Sequence, residues 1–445
     1  MTRNRDFKTL VRRRMEKTGE RYSTARAHVL AAGGGRSGTT GLAAALDVPG
    51  LLSRINTVGG SQPDLAAARN LCVNTGLGGP EGQPISEALA FGLAGGVGFL
   101  YGVFEYGDIP TMTIVARNRS MPDPFCQALF DRLGVTTTIT ETTGAKKAAT
   151  TLDQALADGR PALCTVGAGG LPYHGLPRDM SGMSPHVVGV VGVDPNSGRL
   201  WLDDRSPEPL PVERAAFDAA RAAYRAGKHR MVVVDSVPDE LDWTAVLESA
   251  VAEAVEGFDR PPVPQFKANV GLAGLTKWST LLTGAGKKGW QTVFGSGRRA
   301  AVGLSRLYDC VNHACTSVDA GRPLFADFLD EAAEVAGRPV WNDAAGQWRA
   351  AGERWRDLSA LAVGAHPNLE RYAELADERA RLLDTARAES TAALAERMGA
   401  LHDEQQVLVN ECDLAADTAA ELFRSMGAVV AAIVEDETEA LAGLR

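Results

Sequence analysis

The chain has 445 residues, with 46 Lys and Arg against 55 Asp and Glu, a net charge of −9. Its 45% hydrophobic and 23% charged residues exclude a disordered or collagen-like chain and fit roughly two to four globular domains. No apolar run is long enough to cross a bilayer, and the net negative charge excludes a general polyanion binder, so neither a membrane nor a nucleic acid is expected as a partner.

The charge is uneven. Residues 1–36 hold ten Lys and Arg against three Asp and Glu, a local +7 that leaves −16 on the rest. Phe7, Leu10, Val11 and Met15 sit at helical spacing, so 1–36 reads as a basic helical arm, a docking element for an acidic surface or a solvated amphipathic helix. It has basic residues but no apolar core of a secretory signal. Six scattered cysteines fit a reducing cytoplasm better than a disulfide framework.

Residues 37–60 read as a glycine-rich linker. A helix is predicted from Pro63 to before Gly76, with Ser61 and Asp64 as a capping box. Strands follow at Thr111–Val115, Thr136–Thr140, Ala162–Val166, His186–Val193, Arg199–Leu202 and Met231–Asp235. Helices are expected near 122–133, 213–227 and 242–256, and Asp194-Pro195-Asn196-Ser197-Gly198 is a hairpin turn. Strands that gather after an early helix favour an α+β unit over 61–240.

The proline cluster at 261–264 marks the next boundary. Residues 263–365 suggest an all-α domain with Trp278, Trp290, Trp341, Trp348 and Trp355 available for its core. Residues 368–445 suggest a long helical hairpin broken near Gly399. Its Leu422, Met426, Val429 and Ile433 form a stripe to be buried on its own domain or in a homo-oligomer.

Three motifs are discounted. Gly284-Ala285-Gly286-Lys287-Lys288 lacks the Walker A spacing, and Gly92, Gly95, Gly96 and Gly98 fit no dinucleotide fingerprint. Cys310, His313 and Cys315 offer soft ligands without the second pair that a zinc site requires, so no metal or cofactor is expected.

One segment carries more chemistry. His186 opens an apolar strand, and after the turn a second strand ends at Asp203 and Asp204, so an antiparallel hairpin brings the imidazole near a carboxylate. Such a pair can deprotonate a thiol or hydroxyl held at a helix N-terminus.

Residues 61–240 resemble the N-terminal domain of the butirosin biosynthesis protein H family. The resemblance rests on Arg69-Asn70-Leu71, Gly76-Leu77, the run from Ser86 to Tyr101, Leu171-Pro172-Tyr173, His186-Val187-Val188 and Asp204-Arg205-Ser206. Residues 270–363 resemble the helical domain of unknown function that often follows it, through Gly271 to Leu275, Arg322 to Ala332, and Trp355. Together these cover about 60% of the chain.

The resemblance implies a papain-like, cysteine-peptidase-type fold used for acyl transfer from a carrier-protein thioester to an amine. His186 matches the family histidine and Asp204 its acidic partner. The family usually has a His-Cys pair at the start of the helix, whereas this chain reads Gly60-Ser61-Gln62-Pro63-Asp64 there. Cys72, nine residues beyond Pro63, is about two and a half turns and roughly 13 Å along that helix, on its other side. The nucleophile is therefore Ser61, which is also a good N-cap, or Cys72, or it has been lost.

Three functions follow as expectations. The first is a biosynthetic acyltransferase acting on an acyl or peptidyl thioester, with an acyl carrier protein as donor. The second is a non-catalytic binding or scaffold member, and the third a hydrolase or peptidase using the same residues.

Overall fold

The computed structural model describes residues 55–106, 109–177, 182, 184–259 and 268–445. The basic arm, most of the linker and the proline cluster lie outside them. In chain order the elements are α1 (Leu65–Asn74), α2 (Glu87–Leu93), β1 (Val97–Tyr106), β2 (Ile109–Arg117), α3 (Pro122–Arg132), β3 (Thr136–Thr140), α4 (Ala145–Ala157), β4 (Ala162–Gly167), β5 (Pro185–Val193), β6 (Leu200–Asp203), β7 (Leu210–Val212), α5 (Arg214–Ala223), β8 (Met231–Ser236) and α6 (Trp243–Asp259). There follow α7 (Gly271–Thr283), α8 (Trp290–Val293), α9 (Gly297–Asn312), α10 (Arg322–Ala336), α11 (Val340–Val363), α12 (Pro367–Asp384), α13 (Thr391–Asn410) and α14 (Ala416–Ala442).

Six strands form one antiparallel sheet in the order β3-β8-β4-β5-β6-β7. Side chains alternate across a strand. Leu163, Val187, Val232 and Val234 therefore enter one core, while Cys164, Val166, Val188, Val190 and Val233 enter the other. Both faces are covered, which explains the continuous apolar run of β5. Helix α1 lies on β5. Gly189 faces α1 at this contact: a Cβ there would be in ordinary contact with Ala67 at 3.6 Å and tight against Asp203 of β6 at 3.2 Å. The alanine-rich α1 is buried from Leu65 to Cys72.

β1 and β2 form a separate hairpin packed on α7 and α9. β1 is not among the strands expected from the sequence, because the glycines around its start hide it. Those glycines allow close packing: a Cβ on Gly92 would fall 2.2 Å from the Phe328 ring, and one on Gly98 2.4 Å from the Arg117 backbone.

The α+β region is followed by helices throughout 268–445, among the described residues, apart from a single bridge between Leu100 and Val270. The tryptophans enter the core as expected, with Phe99, Tyr101 and Trp355 packed around Trp278 at ring separations of 5.8, 5.7 and 6.1 Å. One apolar cluster joins α1, the β1–β2 hairpin and α7–α14.

The break expected near Gly399 is not there. Gly399 lies inside α13, and the C-terminal region is three helices, interrupted at 385–390 and 411–415. A helix interior tolerates one glycine at about 1 kcal/mol when packing compensates. The stripe of α14 is covered within the chain: Leu422, Met426 and Ile433 are buried, and α7 and α11 pack along that helix.

A fully buried ion pair ties these parts together. Arg322 Nε donates to Glu437 Oε1 at 2.7 Å and Nη2 to Oε2 at 3.0 Å. The same guanidinium donates to the carbonyls of Ala116 at 3.0 Å and Gly98 at 3.2 Å, and Trp355 Nε1 donates to Glu437 at 2.8 Å. Removing one partner leaves an uncompensated buried charge. Glu437→Gln is therefore expected to lower unfolding stability by about 3–5 kcal/mol, read as a shifted urea midpoint against the wild type.

Candidate functional site

The site begins with Asp64, just before α1. Its backbone is left-handed, with φ 73°, and its side chain caps no helical N–H. The carboxylate points across to β5 instead. Oδ1 meets His186 Nδ1 at 2.7 Å and accepts from Val187 N at 2.9 Å. Oδ2 accepts two hydrogen bonds from the Arg117 guanidinium, both at 3.2 Å. The expected capping box is thus replaced. The Ser61 hydroxyl donates to Glu87 Oε1 at 3.0 Å, Gln62 N donates to the same oxygen at 2.7 Å, and the helix starts at Leu65. A tertiary ion pair outweighs the local cap because the carboxylate neutralises two buried cations.

His186 stands near the start of β5, and Asp204 directly follows β6. The hairpin brings them together: His186 Nε2 lies 3.0 Å from Asp204 Oδ1 and 3.1 Å from Oδ2. Asp204 Oδ2 also accepts from the Tyr173 hydroxyl at 2.9 Å and lies 3.3 Å from His174 Nε2. Asp203 points elsewhere and accepts from Asn70 Nδ2 at 3.0 Å.

The electrostatics follow from burial and pairing. Burial alone pulls His186 down, but the charge and hydrogen bond of Asp204, then those of Asp64, overcome it and raise the imidazole to about 10. Burial pushes Asp64 and Asp204 up, yet His186 and, respectively, Arg117 and His174 bring both below the usual carboxylate range. Burial lowers His174, outweighing the hydrogen bond and charge of Asp204 that favour its protonation, and the charges of His186 and Arg379 add to the lowering. Burial raises Asp203 to about 7.

Of the residues singled out in the sequence, His186 and Asp204 meet, while neither Ser61 nor Cys72 is bonded to the imidazole. Cys72 is buried in the apolar core, which pushes its thiol up to about 12. Cys126, whose Sγ donates to the Asp64 carbonyl at 3.4 Å, is likewise raised by burial. Sequence reasoning missed Asp64 as an imidazole partner, and also Arg117, Tyr173 and His174. Tyr173 belonged to a quoted motif, but no local spacing tied any of these four to His186.

The discounted motifs have structural roles. Gly92 and Gly96 admit Phe328 and Phe325. Cys310 Sγ accepts from Ile114 N at 3.4 Å, and His313 Nε2 lies 3.0 Å from Asp377. Among the described residues, a geometry able to hold a cation occurs instead at His174, His186 and Asp204, whose ligand atoms all lie within 4.8 Å of one another.

Asp64→Ala is expected to cost about 3–5 kcal/mol, since it strands Arg117 and His186; the unfolding midpoint reports it. Mass mapping after brief iodoacetamide treatment of the folded protein at pH 8 is expected to find Cys72 unmodified, with labelling only after denaturation.

Residues 64–205 match the family model described as butirosin biosynthesis protein H, N-terminal, and residues 215–395 match the model described as domain of unknown function (DUF4872). No curated protein matches the chain significantly. Among the described residues no helix is long and apolar enough to cross a membrane. The chain therefore carries, over residues 64–205, the N-terminal domain described for butirosin biosynthesis protein H, joined to the domain of unknown function matched over 215–395.

Proposed function

We propose that this chain is a non-covalent member of its acyl-transfer family: it binds an acyl or peptidyl thioester for a partner biosynthetic enzyme and does not take the acyl group onto its own side chain. One observation carries this reading. Both ring nitrogens of His186 are held by carboxylates, Nδ1 by Asp64 and Nε2 by Asp204. An imidazole that donates from both nitrogens has no lone pair left to accept a proton.

The candidate nucleophiles support the same reading. The Ser61 hydroxyl is spent on Glu87, and the Cys72 thiol stays protonated in the core. A thioester as ligand comes from the family, and an acyl carrier protein is the natural bearer of such a group. Transfer from thioester to amine through an acyl-enzyme, or hydrolysis through the same intermediate, requires His186 to act as a base.

The test combines intact-mass measurement with calorimetry on the full chain and a panel of acyl-pantetheine thioesters. The expected result is an unchanged protein mass together with saturable binding of at least one thioester. A stable adduct that disappears in Ser61→Ala or Cys72→Ala would overturn the proposal in favour of covalent catalysis. Absence of binding across the panel would also overturn it.

A further inference from the structure

We infer that His174, His186 and Asp204 form a binding site for one divalent cation of the zinc class. His174 Nε2 lies 3.3 Å from Asp204 Oδ2, and His186 Nε2 lies 3.0 Å from Asp204 Oδ1. Two ligands each about 2.1 Å from an ion, at angles between octahedral and tetrahedral, stand about 3.0–3.4 Å apart. Both nitrogen–oxygen separations match neighbouring positions of one coordination sphere, and all the ligand atoms lie within 4.8 Å of one another. Two imidazoles and a carboxylate suit zinc, cobalt, nickel or iron(II) and disfavour magnesium or calcium, which take oxygen ligands.

The surroundings are those that orient metal ligands. Histidine ligands commonly donate their other ring nitrogen to a carboxylate, which fixes the tautomer and strengthens the ligand. Asp64 Oδ1, 2.7 Å from His186 Nδ1, is that acceptor, and Arg117 holds Asp64 in turn. Tyr173 donates to Asp204 in the same outer role.

His174 is brought in by the helical region. It ends the short turn Pro172–His174, which packs on α13, and Arg379 Nη2 donates to its carbonyl at 3.0 Å. All three ligands therefore come from the first matched region, and the second supports one of them through Arg379. The side chain of His174 is 13% exposed, against 6% for His186 and 5% for Asp204, so the third ligand offers the way in from solvent.

The cation takes the place of the proton shared between His186 Nε2 and Asp204, and that proton goes to solvent. Three protein ligands leave a position open, where a carbonyl oxygen of a bound thioester can coordinate. The inference rests on the non-covalent reading in one respect: Nε2 of His186 must not be committed to a nucleophile.

The experiment uses the full chain, stripped with a chelator and titrated with Zn²⁺ by calorimetry, with Co²⁺ absorption as a second readout. One Zn²⁺ per chain is expected, with affinity falling at least about 100-fold in His174→Ala and in His186→Ala. Co²⁺ is expected to give a visible ligand-field band in the wild type that His174→Ala abolishes. His174→Ala is the informative variant, because among the described residues its ring nitrogen bonds only to Asp204, and circular dichroism can confirm that it folds. Absence of stoichiometric Zn²⁺ binding would overturn the inference, as would wild-type affinity in either alanine variant. Neither result bears on the mass measurement: a chain that binds no zinc and forms no adduct loses the metal site alone, whereas an adduct on Ser61 refutes the non-covalent reading by itself.

Discussion

Four buried groups stand in a row of alternating charge: Arg117, Asp64, His186 and Asp204. Each is costly to bury alone, and the row is tolerable only when complete. It joins four separate pieces of chain: the end of β2, the start of α1, the start of β5 and the residue after β6. The rest of the site depends on it, because Tyr173 and His174 reach the row through Asp204. β2 is itself held through the Ala116 carbonyl by Arg322, whose partner Glu437 lies on the last helix. The helical region thereby anchors one end of the row.

This arrangement changes what the histidine can do. In a nucleophile–histidine–carboxylate triad, one carboxylate orients one ring nitrogen and leaves the other to collect a proton. Here the second nitrogen meets a second carboxylate. The ring is stabilised as a cation and becomes a crosslink between α1 and the sheet. The same geometry, with one nitrogen anchored on Asp64 and the other aimed into a cluster holding His174 and Asp204, is what a metal ligand needs.

Much of the architecture was legible locally. Runs of β-branched, aromatic and other apolar residues located β2, β3, β4, β5, β6 and β8, and the Asp194–Gly198 turn joined β5 to β6 as read. That hairpin was enough to bring His186 to Asp204, since the two lie on neighbouring strands of one turn. β1 was hidden because the glycines at and before its start serve packing, Gly92 and Gly96 against Phe328 and Phe325 and Gly98 against the Arg117 backbone, a requirement with no local signature. Gly399 was read as a break, yet the neighbouring Met398 and Leu401 are buried and hold the helix together.

The sequence by itself determined six of the eight described strands, the helical second half and the pairing of His186 with a carboxylate at 203–204, because these depend on periodicity and turn chemistry between close neighbours. It also showed that no cysteine stands in Gly60–Asp64, where the resemblance implies a His-Cys pair. Only the tertiary structure decided what replaces that contact. Asp64 has the local features of a helix cap, but Arg117, 53 residues away, and His186, 122 residues away, draw its carboxylate into the interior. The physical reason is that a buried cation gains more from a carboxylate at hydrogen-bond distance than a helix end gains from its cap, and which cations are buried there is settled by folding of the whole chain.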